Sequence, residues 1–350
     1  MTADSNSTFS KITTSEKALN GKRVLMIAPS FFGYDNDIKY GLEELGAIVD
    51  SFKERPFDSS LKIIINRLGF KFLIKNDIEN YYYDILEKVA SHKYDYIFAI
   101  APETMPKSFL FKIKKLNADA ITILYMWDSI SNRKHVRTLL PDFDFVYSFD
   151  SGDVDKYKGT IFHPLFYNKI FDINAIKYSP DIKTEYDMTF IGTAHSDRAN
   201  LVKRIFKHNN YINYLYLYCP SKILFICKKV FTNKYNEVSY NELFFSPIQK
   251  IEIRDIFIKS KVVVDIEHPK QSGLTMRTFE LLGLKRKIIT TNKNIVDYDF
   301  YNKNNIYVLD RNKSVIPKDF LDSPYVDIKK EILDKYSLSS WLKFMFIDGM

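Results

Sequence analysis

The densest concentration of groups able to do chemistry is Glu267-His-Pro-Lys-Gln-Ser-Gly-Leu-Thr-Met-Arg-Thr-Phe-Glu280. It joins an apolar strand-like run, residues 261–266, to a helical pattern over about 274–284. Gly273 permits a close backbone approach to a ligand. The unpaired N–H groups of a helix that begins around Thr275 and Met276 can bind phosphate. Glu280 falls on the next turn, where a carboxylate can accept two hydrogen bonds from a ribose. Arg277, Lys270 and His268 flank the same loop. On spacing alone, an ordinary loop and a capped helix with a solvated glutamate stand equally open.

A second strand-to-helix junction lies at residues 188–208. Residues 188–191 read as a strand, Gly192 to Asp197 as a loop, and 198–208 as a helix with Leu201, Val202 and Ile205 inward. Arg198 opens that helix. Arginine offers paired donors to phosphate, though a surface charge explains it as well.

The elements of the first half place another set of groups. Residues 22–28 form a buried-strand run and 29–33 a loop ending at Gly33. Asp35 or Asn36 can cap a helix whose Ile38, Leu42 and Leu45 share a face. Gly46 stops it, and 47–50 start the next strand. Further strands at 94–100, 120–125 and 145–148 end in polar loops at Pro102-Glu103, Trp127-Asp128-Ser129 and Asp150. These loops belong at the carboxyl edge of a parallel sheet, where such folds put ligands. A carboxylate on one of these loops can serve as a general base. Asp128 is the first choice, Glu103 the second and Asp35 the third, with capping or a solvated loop as the alternative for each.

In the second half, strands are expected at 212–218, 261–266 and 287–291, helices at 251–260 and 274–284, and a helical tail at 332–346. The chain thus divides into a disordered lead-in (1–20), an N-terminal domain (21–170), a linker (171–186), a C-terminal domain (187–328) and a tail (329–350) able to cross back. A length of 350 residues fits two domains.

Composition narrows the chemistry. Two cysteines build neither a disulfide framework nor a four-thiolate zinc site. The Asp-x-Asp pairs at 35/37, 142/144, 153/155 and 297/299 sit at caps or in polar stretches, so no obligatory metal is expected. His163, His195 and His268 lack metal-ligand spacing. There is no Gly-x-Gly-x-x-Gly in the first unit, no P-loop and no Gly-x-Ser-x-Gly elbow, which disfavours dehydrogenase, P-loop NTPase and α/β-hydrolase readings. The net charge of +8 accompanies a bias toward Lys, Asn and Ile. No nucleic-acid motif is present, so a nucleic-acid partner is not expected. Residues 221–235 mix apolar side chains with lysines and can form an interfacial helix on an anionic membrane, or a packed helix with its lysines outward. No run is long and apolar enough to span a membrane, and a cytoplasmic location is expected.

The stretch 272–280 resembles the donor-site signature of GT-B glycosyltransferases, Glu-Gly-Phe-Gly followed by a Glu eight positions after the first. Glu280 matches the second Glu and Gly273 the first Gly, while Ser272 stands in place of the first Glu. SGLTMRTFE with KIITTN is similar to the CgeB-like and lipopolysaccharide-biosynthesis branch. FIGT with Asp197-Arg198, FFGYDNDIKYGLEELG and YMWDSISN extend that resemblance over most of residues 22 to 310. It implies an α/β fold of two Rossmann-like doubly wound domains facing a cleft. It also implies sugar transfer from a nucleotide-sugar donor to a growing cell-surface glycan, free or lipid-linked, in lipopolysaccharide or capsule. Donor-side residues would be Gly192, Thr193, Arg198, His268, Gly273, Thr275, Met276, Arg277 and Glu280. Gly33 and Trp127 would lie on the acceptor side. A nucleotide-sugar epimerase of the same architecture and a non-catalytic binding protein remain open.

Overall fold

The computed structural model describes residues 18–57, 71–176, 183–194, 197–208, 211–222, 225, 229, 238–269 and 271–350. Most of the lead-in, His195, Lys270, Cys227, most of the 221–235 segment and the middle of the linker lie outside the described residues.

Strands buried on both faces must be apolar through their centres, as in β1 (Arg23–Ala28), β3 (Tyr96–Ile100) and β10 (Ser260–Asp265). With β2 (Ile48–Lys53), β4 (Ile121–Met126), β5 (Phe145–Ser148) and β6 (Thr160–Phe162), the first two of these form a parallel sheet ordered β2-β1-β3-β4-β5-β6. Val24 stands opposite Val49 on one side and Tyr96 on the other. The helices between are α1 (Tyr34–Glu44), α2 (Lys75–Val89), α3 (Lys107–Leu116), α4 (Lys134–Arg137) and α5 (Ser151–Lys156).

The second parallel sheet contains β7 (Tyr186–Thr193), β8 (Asn213–Tyr218), β9 (Leu243–Phe244), β10, β11 (Lys287–Thr290) and β12 (Ile306–Val308), ordered β12-β11-β10-β7-β8-β9. Its helices are α6 (Arg198–His208), α7 (Lys250–Ile258), α8 (Met276–Gly283) and α9 (Lys318–Asp322). Leu201, Val202 and Ile205 of α6 are fully buried. Each sheet reverses its strand order at one place, β1/β3 in the first and β7/β10 in the second. There the loops leave in opposite directions and open a crevice at the carboxyl ends.

Several boundaries differ from the sequence reading. Neither Asp35 nor Asn36 caps α1: Gly33 does, in the left-handed region at φ 73°, and Asp35 falls in the first turn. An acidic side chain suits that position through the helix dipole. Gly192 and Thr193 belong to β7, paired with Leu217 and Tyr218, rather than to the loop. Ser260 opens β10 instead of closing α7, and its hydroxyl bonds that of Thr189 at 2.7 Å. The amphipathic helix α2, with Ile78, Tyr82, Ile85 and Val89 inward, is absent from the sequence reading.

The tail is two short helices, α10 (Lys330–Lys335) and α11 (Leu338–Lys343), the second continued by a π-helical turn over Phe344–Asp348, because Ser337 interrupts it and caps α11 through the N–H of Ser340. It packs on the first sheet. A Cβ on Gly41 of α1 would lie 2.8 Å from Leu342 Cδ1, so α1 and α11 approach closely. Trp341 is fully buried against Tyr125 and Phe166, and Phe346 against Tyr96 and Phe98. Among the described residues no helix is long and apolar enough to cross a membrane.

Candidate functional site

The carboxyl edges of the two sheets meet. At the β7/β10 switch point, a Cβ on Gly192 would come 2.9 Å from the Phe190 ring, so the absent side chain makes room for that ring, and Arg198 Nη1 lies at ordinary contact distance, 3.5 Å, from the same point. Arg198 Nη1 donates to the Thr193 carbonyl at 3.5 Å. Its Nε is buried with no hydrogen-bond partner among the described residues. Burial pushes this guanidinium below its ordinary value, Asp265 and Glu267 oppose that shift, and Arg277 and Arg311 reinforce it.

Asp265 ends β10 and accepts from the hydroxyls of Thr275 (2.6 Å) and Thr278 (2.7 Å). The Thr275 side chain therefore anchors the start of α8 to the sheet and gives no side-chain cap. Of the first-turn amides of α8, Thr278 N–H bonds the Thr275 carbonyl at 3.1 Å, while those of Met276 and Arg277 have no acceptor within the helix. Met276 packs partly buried against the core, and His268 is exposed. Arg277 stacks over Phe257, 4.5 Å from the ring centre, and pairs with Glu280 Oε2 at 2.5 Å.

Two motif residues turn out to contact the first half. Gly273 is required by Phe149: a Cβ there would lie 2.6 Å from the Phe149 ring and 2.8 Å from its carbonyl oxygen. The close approach is between the two halves of the protein, where the sequence reading expects a ligand. Ser272 donates its hydroxyl to Asp150 Oδ1, and Ser129 donates to Oδ2 of the same carboxylate. Glu280, only 3% exposed, accepts from Tyr34 of α1 at 2.5 Å. Burial raises its carboxyl from the ordinary value, against the pull of Arg277, Tyr34 and Lys250. Lys250, at the start of α7, pairs with Asp37 and stands 4.0 Å above the Tyr34 ring. Asp37 also accepts from the Asn168 amide at 2.6 Å.

On the first sheet's edge, Arg133 forks between the two leading base candidates. Nη2 meets Asp128 Oδ2 at 2.5 Å and Nη1 meets Glu103 Oε1. Arg55 lies 3.7 Å from the other Glu103 oxygen. Behind them, fully buried Glu54 accepts from the backbone N–H groups of Glu103 (2.6 Å) and Thr104, and its Oε2 has no partner among the described residues. Burial raises the Glu54 carboxyl. Asp35 accepts from Ser30 at 3.2 Å. Trp127 is partly buried, its ring centre 6.2 Å from that of half-exposed Phe31. Phe32 beside it adopts φ 47°, a conformation disfavoured for a bulky residue.

His163 is buried away from the cleft, stacked between Trp341 and Phe344 of the tail. Among the described residues no group of three His, Cys, Asp or Glu is placed to hold a metal ion. Tyr34, Lys250, Arg133, Arg311 and Glu54 escaped the sequence reading. Arg311 joins Asp197 (2.8 Å) to Glu267 (2.6 Å), which also accepts from Thr291. Tyr34 lies within the stretch FFGYDNDIKYGLEELG but is not singled out there, the other four lie in no motif, and each acts through a partner distant in the chain.

No protein-family model matches this sequence, and no curated protein does. Its fold is the GT-B type, with two parallel six-stranded sheets and their helices. Among solved structures it is similar to the lipopolysaccharide outer core galactosyltransferase WaaB in its apo form, at 10% identity over 94% of this chain and 100% of that one, with a TM-score of 0.50. S. aureus MnaA in its co-structure with UDP aligns at 11% identity over 91% of each chain, with a TM-score of 0.47.

Proposed function

We propose that the protein is a glycosyltransferase that moves a sugar from a nucleotide-sugar donor to a growing cell-surface glycan. The observation that carries this reading is Arg198, a guanidinium at the second sheet's switch point whose buried Nε has no hydrogen-bond partner among the described residues. A diphosphate would satisfy it by charge-assisted hydrogen bonds, with the Met276 and Arg277 amides of α8 as further donors. Those groups would stabilise the departing diphosphate without a metal. Gly192 and Thr193 line the approach, and Glu280 is the carboxylate for the ribose. The acceptor lies toward Gly33 and Trp127, with Asp128 as base. The acceptor class, lipopolysaccharide or capsule, is taken from the sequence resemblance and is in keeping with the fold likeness to WaaB.

The test begins with thermal shift and calorimetry on UDP, GDP, CMP and ADP. One nucleotide is expected to stabilise the protein, and Arg198→Gln to weaken it by at least about tenfold, the order of one charged hydrogen bond. Unchanged affinity in that variant overturns the assignment of Arg198. Incubation with the matching donor alone then separates chemistries: turnover that needs an acceptor supports transfer, and epimerised nucleotide sugar refutes it.

A further inference from the structure

Glu280 is the carboxylate that the donor reading assigns to the ribose, yet no ligand can reach it in this arrangement. It is 3% exposed, and both its oxygens are taken, Oε1 by the Tyr34 phenol and Oε2 by Arg277. Tyr34 comes from the opposite half of the protein and is itself 8% exposed. Its ring is held from the second half by Lys250, which caps the ring face and pairs with Asp37 one turn further along α1. Gly33, immediately before Tyr34, takes the left-handed φ of 73° that starts α1 and sets the Tyr34 ring beneath Lys250.

A phenol hydroxyl and a ribose hydroxyl are the same kind of group to a carboxylate: each donates one hydrogen bond to one oxygen. We propose that Tyr34 is a built-in stand-in for the donor's ribose, occupying Glu280 in the free protein and exchanged for a ribose hydroxyl when a nucleotide binds. The proposal rests on the donor reading of Glu280. The exchange frees α1 from α8 and so removes one fastening between the halves. Nucleotide binding and the closed contact of α1 on α8 therefore oppose each other. By linkage each weakens the other by the same factor.

The experiment measures nucleotide affinity by calorimetry for the full-length wild type, Tyr34→Phe and Lys250→Gln, using UDP, GDP, CMP and ADP. Phenylalanine keeps the ring and removes the competing donor, so Tyr34→Phe is expected to bind roughly ten- to a hundredfold more tightly. Lys250→Gln, which loosens the hold on Tyr34 but also withdraws a positive charge that favours the Glu280 carboxylate, is expected to gain less, and it carries the test if Tyr34→Phe does not fold. Binding by a variant where wild type shows none also supports the exchange. Equal or weaker affinity in the variants, with wild type binding a nucleotide, overturns the proposal alone. No binding by any of the three overturns the donor reading and the proposal with it.

Discussion

The Tyr34 hydroxyl meets Oε1 of Glu280 at 2.5 Å across 246 positions of sequence, so a helix of the first sheet is tied to a helix of the second by one buried hydrogen bond. Glu280 also neutralises Arg277. Glu280→Ala would leave a phenol and a guanidinium facing a cavity. Losing one partner of a buried pair costs about 3–5 kcal/mol. Urea unfolding should show a loss of that order, with Glu280→Gln losing less because it keeps the shape and an acceptor for Tyr34. Equal stability of Glu280→Ala and wild type would mean that the contact contributes nothing to the fold.

Gly273 supplies a second tie of a different kind. A methyl group there would overlap both the ring and the carbonyl of Phe149, and a backbone atom cannot step aside as a side chain can. Gly273→Ala is expected to destabilise by about 1–3 kcal/mol, the usual range for overpacking. Denaturant melts compared with Gly159→Ala check this. Gly159 has a positive φ of 84° but nothing within 4 Å of its Cβ position, so the control measures backbone strain without a clash.

The strand-and-switch-point frame was legible because parallel strands buried on both faces advertise themselves as apolar runs. The helix 198–208 was recoverable from Leu201, Val202 and Ile205 alone, and it begins and ends where the periodicity places it. Gly273 and Glu280 stood out by type and spacing, but their contacts did not. Phe149 and Tyr34 lie more than a hundred residues upstream, and nothing local to a motif records who faces it. Arg133 was invisible for the same reason: an arginine in a polar loop acquires meaning only when Glu103 and Asp128 converge on it. The tail's periodicity was read through Ser337, whose capping hydroxyl breaks the helix in two.

His163 gives a pH signature. Burial between Trp341 and Phe344 lowers its imidazole from 6.5 to about 4, partly offset by its hydrogen bond to the Trp341 carbonyl. The folded pKa is the lower one, so the unfolded chain binds the extra proton between these values. Stability present above pH 6.5 is lost as pH falls toward 4, by up to about 3 kcal/mol. His163→Gln cannot titrate, so its stability should fall less steeply over that window, although it starts lower through lost stacking. Urea midpoints from pH 7.5 to 4 test this, and parallel curves for the two proteins would count against it.

Asp128 and Glu103 share Arg133 but differ in access. The Asp128 side chain is 43% exposed and the Glu103 side chain 13%. A general base must come within hydrogen-bond reach of the acceptor hydroxyl. Exposure therefore favours Asp128 for proton transfer. Glu103, held by Arg133, by Arg55 and through its own N–H by Glu54, is better placed to fix the loop. Asp128→Asn should lower turnover by about two to four orders of magnitude while leaving nucleotide affinity unchanged, since a base contributes on that scale. Glu103→Gln should lower the melting temperature more than Asp128→Asn does, because its ion pair is the more buried one and surface pairs contribute little. Steady-state kinetics, calorimetry and thermal melts on both variants separate the roles. Full turnover in Asp128→Asn with loss in Glu103→Gln would move the base to Glu103 and leave Asp128 as the exposed arm of the Arg133 fork.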